Sequence, residues 1–114
     1  MSEIKREVIC YMSGCEMTYK IKNQELTSEE LTEIIIERIE KINPIINAYC
    51  TTTFDLTRET AKRADDAVRK GEKLGLLHEV PVSIKDETET RGIRTTFGSK
   101  MFENNIPRID EVVC

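Results

Sequence analysis

Apolar positions in this chain recur first at helical spacing and then, further on, in strict alternation. Ser13 and Glu16 stand three residues apart, where an N-cap hydroxyl and an N3 carboxylate can each bond the other's backbone amide, so a short helix is predicted from Gly14 to Lys22. Thr27 and Glu30 repeat that box, with Leu26 and Leu31 at the two positions of a hydrophobic staple, and predict a longer helix. Leu31, Ile34, Ile35, Ile39 and Ile42 form its apolar stripe at three- and four-residue steps, with Glu33, Glu37, Arg38, Glu40 and Lys41 mostly off it. Asn43-Pro44 is expected to end it, because proline disfavours helical geometry in the residue before it.

From Asn47 to Thr53 the chain is rich in β-branched and aromatic residues and carries no charge, which predicts a strand. Thr53 or Asp55 then caps a helix whose stripe of Leu56, Thr60, Ala61, Ala64, Ala67 and Val68 is mostly small, with Gly71 as its stop. Val80, Val82 and Ile84 alternate with Pro81, Ser83 and Lys85, a second short strand entered through its proline. Strand, helix, strand is a βαβ-like unit, so the expected class is α/β: helices followed by a small sheet. Gly92, Gly98, Pro107 and Glu103-Asn104-Asn105 mark residues 86–114 as connection, with apolar residues resuming at Val112-Val113-Cys114.

The 114 residues suit a single domain, 1–114, with 39% hydrophobic and 33% charged residues, near globular averages. The net charge of −4 is spread along the chain and supplies no cationic stripe, so nucleic acid is not an expected partner. Charged residues interrupt the N-terminus, and no apolar run approaches the roughly 20 residues of a membrane helix. A cytoplasmic chain without membrane contact is expected. Cys10, Cys15, Cys50 and Cys114 are then expected as free thiols in a reducing compartment. No Cys-x-x-Cys pair occurs and His78 is the only histidine, so neither a metal site nor a cofactor is expected.

The candidate chemistry lies at the end of the second predicted strand, where Lys85 is followed by Asp86, Glu87 and Glu89. Active sites of α/β sheets open at such carboxyl ends. A lysine among acids is by itself usually a solvated ion pair. The run Leu74-Gly75-Leu76-Leu77-His78-Glu79-Val80-Pro81-Val82-Ser83-Ile84-Lys85-Asp86, followed by Thr90-Arg91-Gly92 and Thr95-Thr96-Phe97-Gly98-Ser99, closely resembles the catalytic-lysine region of the amidase-signature family. Leu26-Thr27-Ser28, Glu37-Arg38-Ile39, Asn43-Pro44 and Asn47-Ala48-Tyr49 are similar to its N-terminal region. The resemblance extends to the glutamine-hydrolysing subunit of tRNA-dependent amidotransferases.

It implies the N-terminal portion of the amidase-signature fold, about a quarter of a family-length enzyme, with Lys85 as the catalytic lysine. In the family that lysine is buried and neutral, and accepts a proton relayed through a cis-peptide serine from the nucleophilic serine. A glycine- and serine-rich loop supplies both serines and the oxyanion site. None of Ser2, Ser13, Ser28, Ser83 and Ser99 lies in such a context, and no two of the five glycines are adjacent. Ser83 belongs to the lysine's strand and Ser99 ends the Thr-Thr-x-Gly-Ser turn, so both are expected to be structural. The chain departs from the pattern at Glu79, where the family commonly has glycine, and in the acidic Glu87-Thr88-Glu89. The expectation is a chain inactive alone, acting on a small amide only when a C-terminal amidase segment complements it. The alternative is a noncatalytic module that binds a second copy or a larger subunit.

Overall fold

The computed structural model describes residues 2–112; Cys114, expected as a free thiol, lies outside them. Its elements are α1 (Glu3–Cys10), α2 (Gly14–Lys22), α3 (Ser28–Ile46), α4 (Phe54–Arg69) and a single 3-10 turn at Lys100–Phe102. The chain forms two compact units, residues 1–46 with 54–81 and residues 47–53 with 82–114.

The first unit is helical. At the start of α2, Ser13 Oγ accepts from the Glu16 amide at 3.2 Å and Glu16 Oε2 accepts from the Ser13 amide at 2.8 Å, the predicted box. At the start of α3, the Glu30 amide donates to Thr27 Oγ1 at 3.0 Å and the Thr27 amide to Glu30 Oε2 at 3.1 Å. Leu26 and Leu31 are both buried, and with Ile9, Met17, Ile21 and Ile34 they make the core. Leu31 is 0% exposed, the centre of that cluster.

Gly71 closes α4 at φ 68°, its amide bonding the Val68 carbonyl at 2.9 Å while the Glu72 amide reaches back to Ala67 at 3.1 Å. That pair of bonds satisfies the last carbonyls of the helix, and glycine adopts the left-handed turn without strain. Gln24 takes the equivalent place after α2 at φ 58°. The helices are joined at the surface as well. Arg6 pairs with Glu37, Arg38 donates to Tyr11 Oη at 2.8 Å and lies over its ring, and Arg58 grips Glu33 through two bonds of 2.6 and 3.2 Å.

The elements depart from expectation in three places. Pro44 does not end α3, which runs on to Ile46 before Asn47 turns at φ 51°. The helix continues because proline's fixed φ suits it; what Pro44 removes is one amide donor. Second, α1 was not expected, lacking a side-chain bond at its N-cap residue Ser2, and it is held by burial of Ile9 against the core. Third, the small sheet is not formed among the described residues. Residues 47–53 and 80–85 are not paired as strands, and the one bridge is the isolated Thr90–Ile93 pair. A strand exists only where a neighbour accepts its amides, and β-branched composition does not supply that neighbour.

Candidate functional site

Residues 80–85 begin anchored and end in solvent. Val80 packs on the helical core, whereas Val82 is 72% exposed and Ile84 50%. With neither face of the segment covered, the alternation read from the sequence has nothing to sort against. Lys85 follows with its side chain 76% exposed, and its Nζ lies 2.9 Å from Glu87 Oε1. That is the geometry of a solvated surface pair, in which water screens both charges. The buried, neutral amine implied by the resemblance needs low-polarity atoms on every side, and here they are missing. The described hydrogen bonds do not join Lys85 to Ser83 or Ser99, and Ser83 is exposed.

The next residue, Asp86, faces the other way and organises its unit. Its carboxylate accepts from the Thr96 amide at 2.7 Å and from the Thr96 hydroxyl, and its carbonyl accepts from the Phe97 amide at 2.8 Å. The Thr96 hydroxyl, then the Thr96 amide, hold the Asp86 carboxyl below its ordinary value, since each donor favours the charged form. Thr95 and Thr96 are buried, and the Thr95 amide bonds the Asn105 carbonyl at 3.0 Å while Asn105 Nδ2 returns a bond of 3.0 Å.

Phe97 at φ 53° and Gly98 at φ 64° turn the chain, after which Ser99 Oγ accepts from the Met101 amide at 3.3 Å. Ser99 is thus a cap for the 3-10 turn, which agrees with its expected structural role. Sequence reasoning passed over Arg94, which donates to Thr51 Oγ1 at 3.1 Å and to the carbonyls of Cys50 at 3.0 Å and Glu103 at 2.8 Å. It also passed over the part Asp86 plays. The available signal was Asp86 and Thr96 flanking a polar turn that ends in glycine.

Asp65 was not singled out by the sequence either. It is buried on α4, and its two oxygens accept from the amides of Ser28 at 2.8 Å and Glu29 at 3.0 Å, capping α3 from another helix. Ser28 Oγ in turn donates to the Glu79 carbonyl at 2.9 Å. Cys10, Cys15 and Cys50 are free thiols. Among the described residues no three His, Cys, Asp or Glu side chains gather as ligands for a metal ion. No described helix is long and apolar enough to cross a membrane.

Residues 30–114, well over half of the chain, match the family described as Amidase. The chain belongs to the amidase family. It is 44% identical over 103 residues to a glutamyl-tRNA(Gln) amidotransferase subunit of Carboxydothermus hydrogenoformans, covering 90% of this chain and 21% of that protein. The protein of the same name from Moorella thermoacetica is 38% identical over 103 residues, with the same coverage. That from Thermoanaerobacter pseudethanolicus is 40% identical over 98 residues, 86% of this chain and 20% of that protein. The chain therefore spans about a fifth of the length of the curated relatives it matches. Membership of the amidase family supports the α/β class, although the described residues are mostly helical.

Proposed function

We propose that this chain is the lysine-bearing N-terminal part of a single amidase domain, one that hydrolyses amide carbon–nitrogen bonds when further chain supplies the serines. Lys85 is the proton acceptor in this reading. As a neutral amine it takes the proton that a relay serine receives from the attacking serine, and it later returns that proton to the leaving nitrogen. The small sheet forms in the same event: residues 80–85 gain strand neighbours, which cover Val82 and Ile84 and withdraw Lys85 from Glu87. The observation that carries the proposal is the match over residues 30–114. The Asp86–Thr96 bonds support it, because they fix the backbone next to Lys85 before any partner arrives.

The relatives' shared name, that of one amidotransferase subunit, supports a multi-subunit assembly as the partner, and the amidase family match supports an amide as the substrate. The test is complementation. The purified chain alone is expected to turn over no simple amide. Mixed with the remaining C-terminal portion of a relative, it is expected to hydrolyse glutamine, with activity lost in Lys85→Ala and kept in Ser83→Ala and Ser99→Ala. Turnover by the chain alone, or complemented activity that survives Lys85→Ala, refutes the assignment.

A second reading is favoured by the exposed Lys85–Glu87 pair: a noncatalytic module that binds a second copy or a larger subunit. Complementation separates the two, since the module predicts a stable complex that shows no turnover.

A further inference from the structure

Two acidic side chains are buried among the described residues, and they are treated differently. Asp65 has a donor for each oxygen. The Glu79 side chain is 1% exposed and neither of its oxygens has a hydrogen-bond partner. His78 Nε2, also buried and without a hydrogen bond, stands 3.5 Å from Glu79 Oε1. Burial pushes the Glu79 carboxyl above the ordinary range; His78 and Lys22, at the end of α2, pull it down, and Asp65 on α4 pushes it further up. From α3 the group that meets this turn is Ser28, whose hydroxyl holds the Glu79 carbonyl.

The backbone is also under tension there, with Glu79 at φ 77°, a region that residues carrying a Cβ rarely occupy. The turn is docked by little: the Ser28 bond and the partly buried side chain of Val80. Against those stands a covered carboxylate that, once charged, has no hydrogen-bond donor on either oxygen.

We propose that His78-Glu79 is a proton-operated latch on the helical unit. With the carboxyl protonated, no charge is buried on Glu79 and the 78–81 turn stays docked. Loss of that proton to solvent leaves an unpaired buried anion, and the turn lifts until the carboxylate is hydrated. No bond other than O–H is broken and no co-reactant is needed. The latch does not depend on whether Lys85 is catalytic. Its sign follows from linkage: a carboxyl raised on folding adds stability that is complete below its unfolded value and disappears as pH climbs through the folded one.

The test uses the 114-residue chain, with the Glu79 side-chain carboxyl followed by carbon NMR and assigned by its loss in Glu79→Gln. It is expected to titrate above the other glutamates. Urea midpoints of wild type and Glu79→Gln are expected to coincide at about pH 4, below the unfolded value, and to separate towards about pH 8, the variant being the more resistant. Amides of residues 78–80 are expected to exchange faster in wild type than in Glu79→Gln at the higher pH only. Glu79→Gly, which removes the carboxyl and suits the positive φ, is expected to show the same loss of pH dependence. Titration of Glu79 together with the surface glutamates, or a midpoint difference flat in pH, overturns the latch. If wild type is unfolded at the higher pH, rescue by Glu79→Gln supports it and failure of both variants to rescue overturns it.

Discussion

Neighbouring residues in the Lys85 region have opposite fates, and the difference comes from how many donors surround each. Lys85 and Glu87 meet each other and water, whereas Asp86 meets the Thr96 hydroxyl and amide. A pH consequence follows for Asp86. Its folded value is lowered, so the native state binds fewer protons than the unfolded chain; the stabilisation is complete above the unfolded value of about 4 and is lost as pH falls through the lowered one. Thr96→Val deletes one donor and leaves the amide. Urea unfolding should then show about 1 kcal/mol lost at neutral pH, because a partly buried hydrogen bond to a charge is gone and Val offers nothing in return. The loss should narrow as pH falls below about 4, towards conditions in which Asp86 is protonated in the wild type as well. An equal penalty at both pH values would mean that Thr96 acts through packing alone.

At the scale of elements, what was legible in the sequence was local and what was not was distant. The two capping boxes and the staple at Leu26 and Leu31 specify helix starts within a few residues, so α2 appears at its predicted bounds and α3 begins where the motif places it. Gly71 marks the end of α4 for the same reason. Strands are a different matter, because residues 47–53 and 80–85 have the right composition but depend on neighbours from elsewhere in a chain. In the site, Lys85 was visible only through resemblance, and its surroundings in these residues could not be read from periodicity. Asp65 was hidden because a long-range cap leaves no signature at fixed spacing. Its contribution is testable: Asp65→Ala strands the buried amide of Ser28 and the partly buried amide of Glu29, so α3 and α4 lose one of the links between them. A loss of about 2–3 kcal/mol is expected in chemical denaturation, larger than the ~1 kcal/mol of an ordinary solvent-exposed cap. A loss of only a few tenths would place water, rather than Asp65, as the real partner of those amides.

For the whole molecule, the helical unit has a core of its own, centred on Leu31, while the second unit is held mainly by polar bonds from Asp86, Arg94 and Asn105. Hydrogen bonds exchange partners with water at small net gain, whereas burial of apolar surface supplies most of the driving force for folding. The second unit nevertheless leaves Val82, Ile84, Met101, Ile106 and Ile109 in solvent, and the helical unit leaves Tyr11, Tyr19 and Leu76. At about 25 cal/mol per Å² such side chains gain appreciably from any apolar cover, and an unpaired extended segment adds backbone donors to the attraction. The chain by itself is therefore expected to associate: light scattering after gel filtration should give a mass above the monomer that rises with protein concentration. Replacing Val82 and Ile84 with threonine should shift that curve towards the monomer without loss of helical signal, since neither residue belongs to the helical core. Addition of the C-terminal portion of a relative should compete with self-association, because the same residues would then be covered by their strand neighbours. A chain that stays monomeric throughout the concentration range would show that water covers those side chains well enough, and the need for a partner would have to rest on chemistry alone.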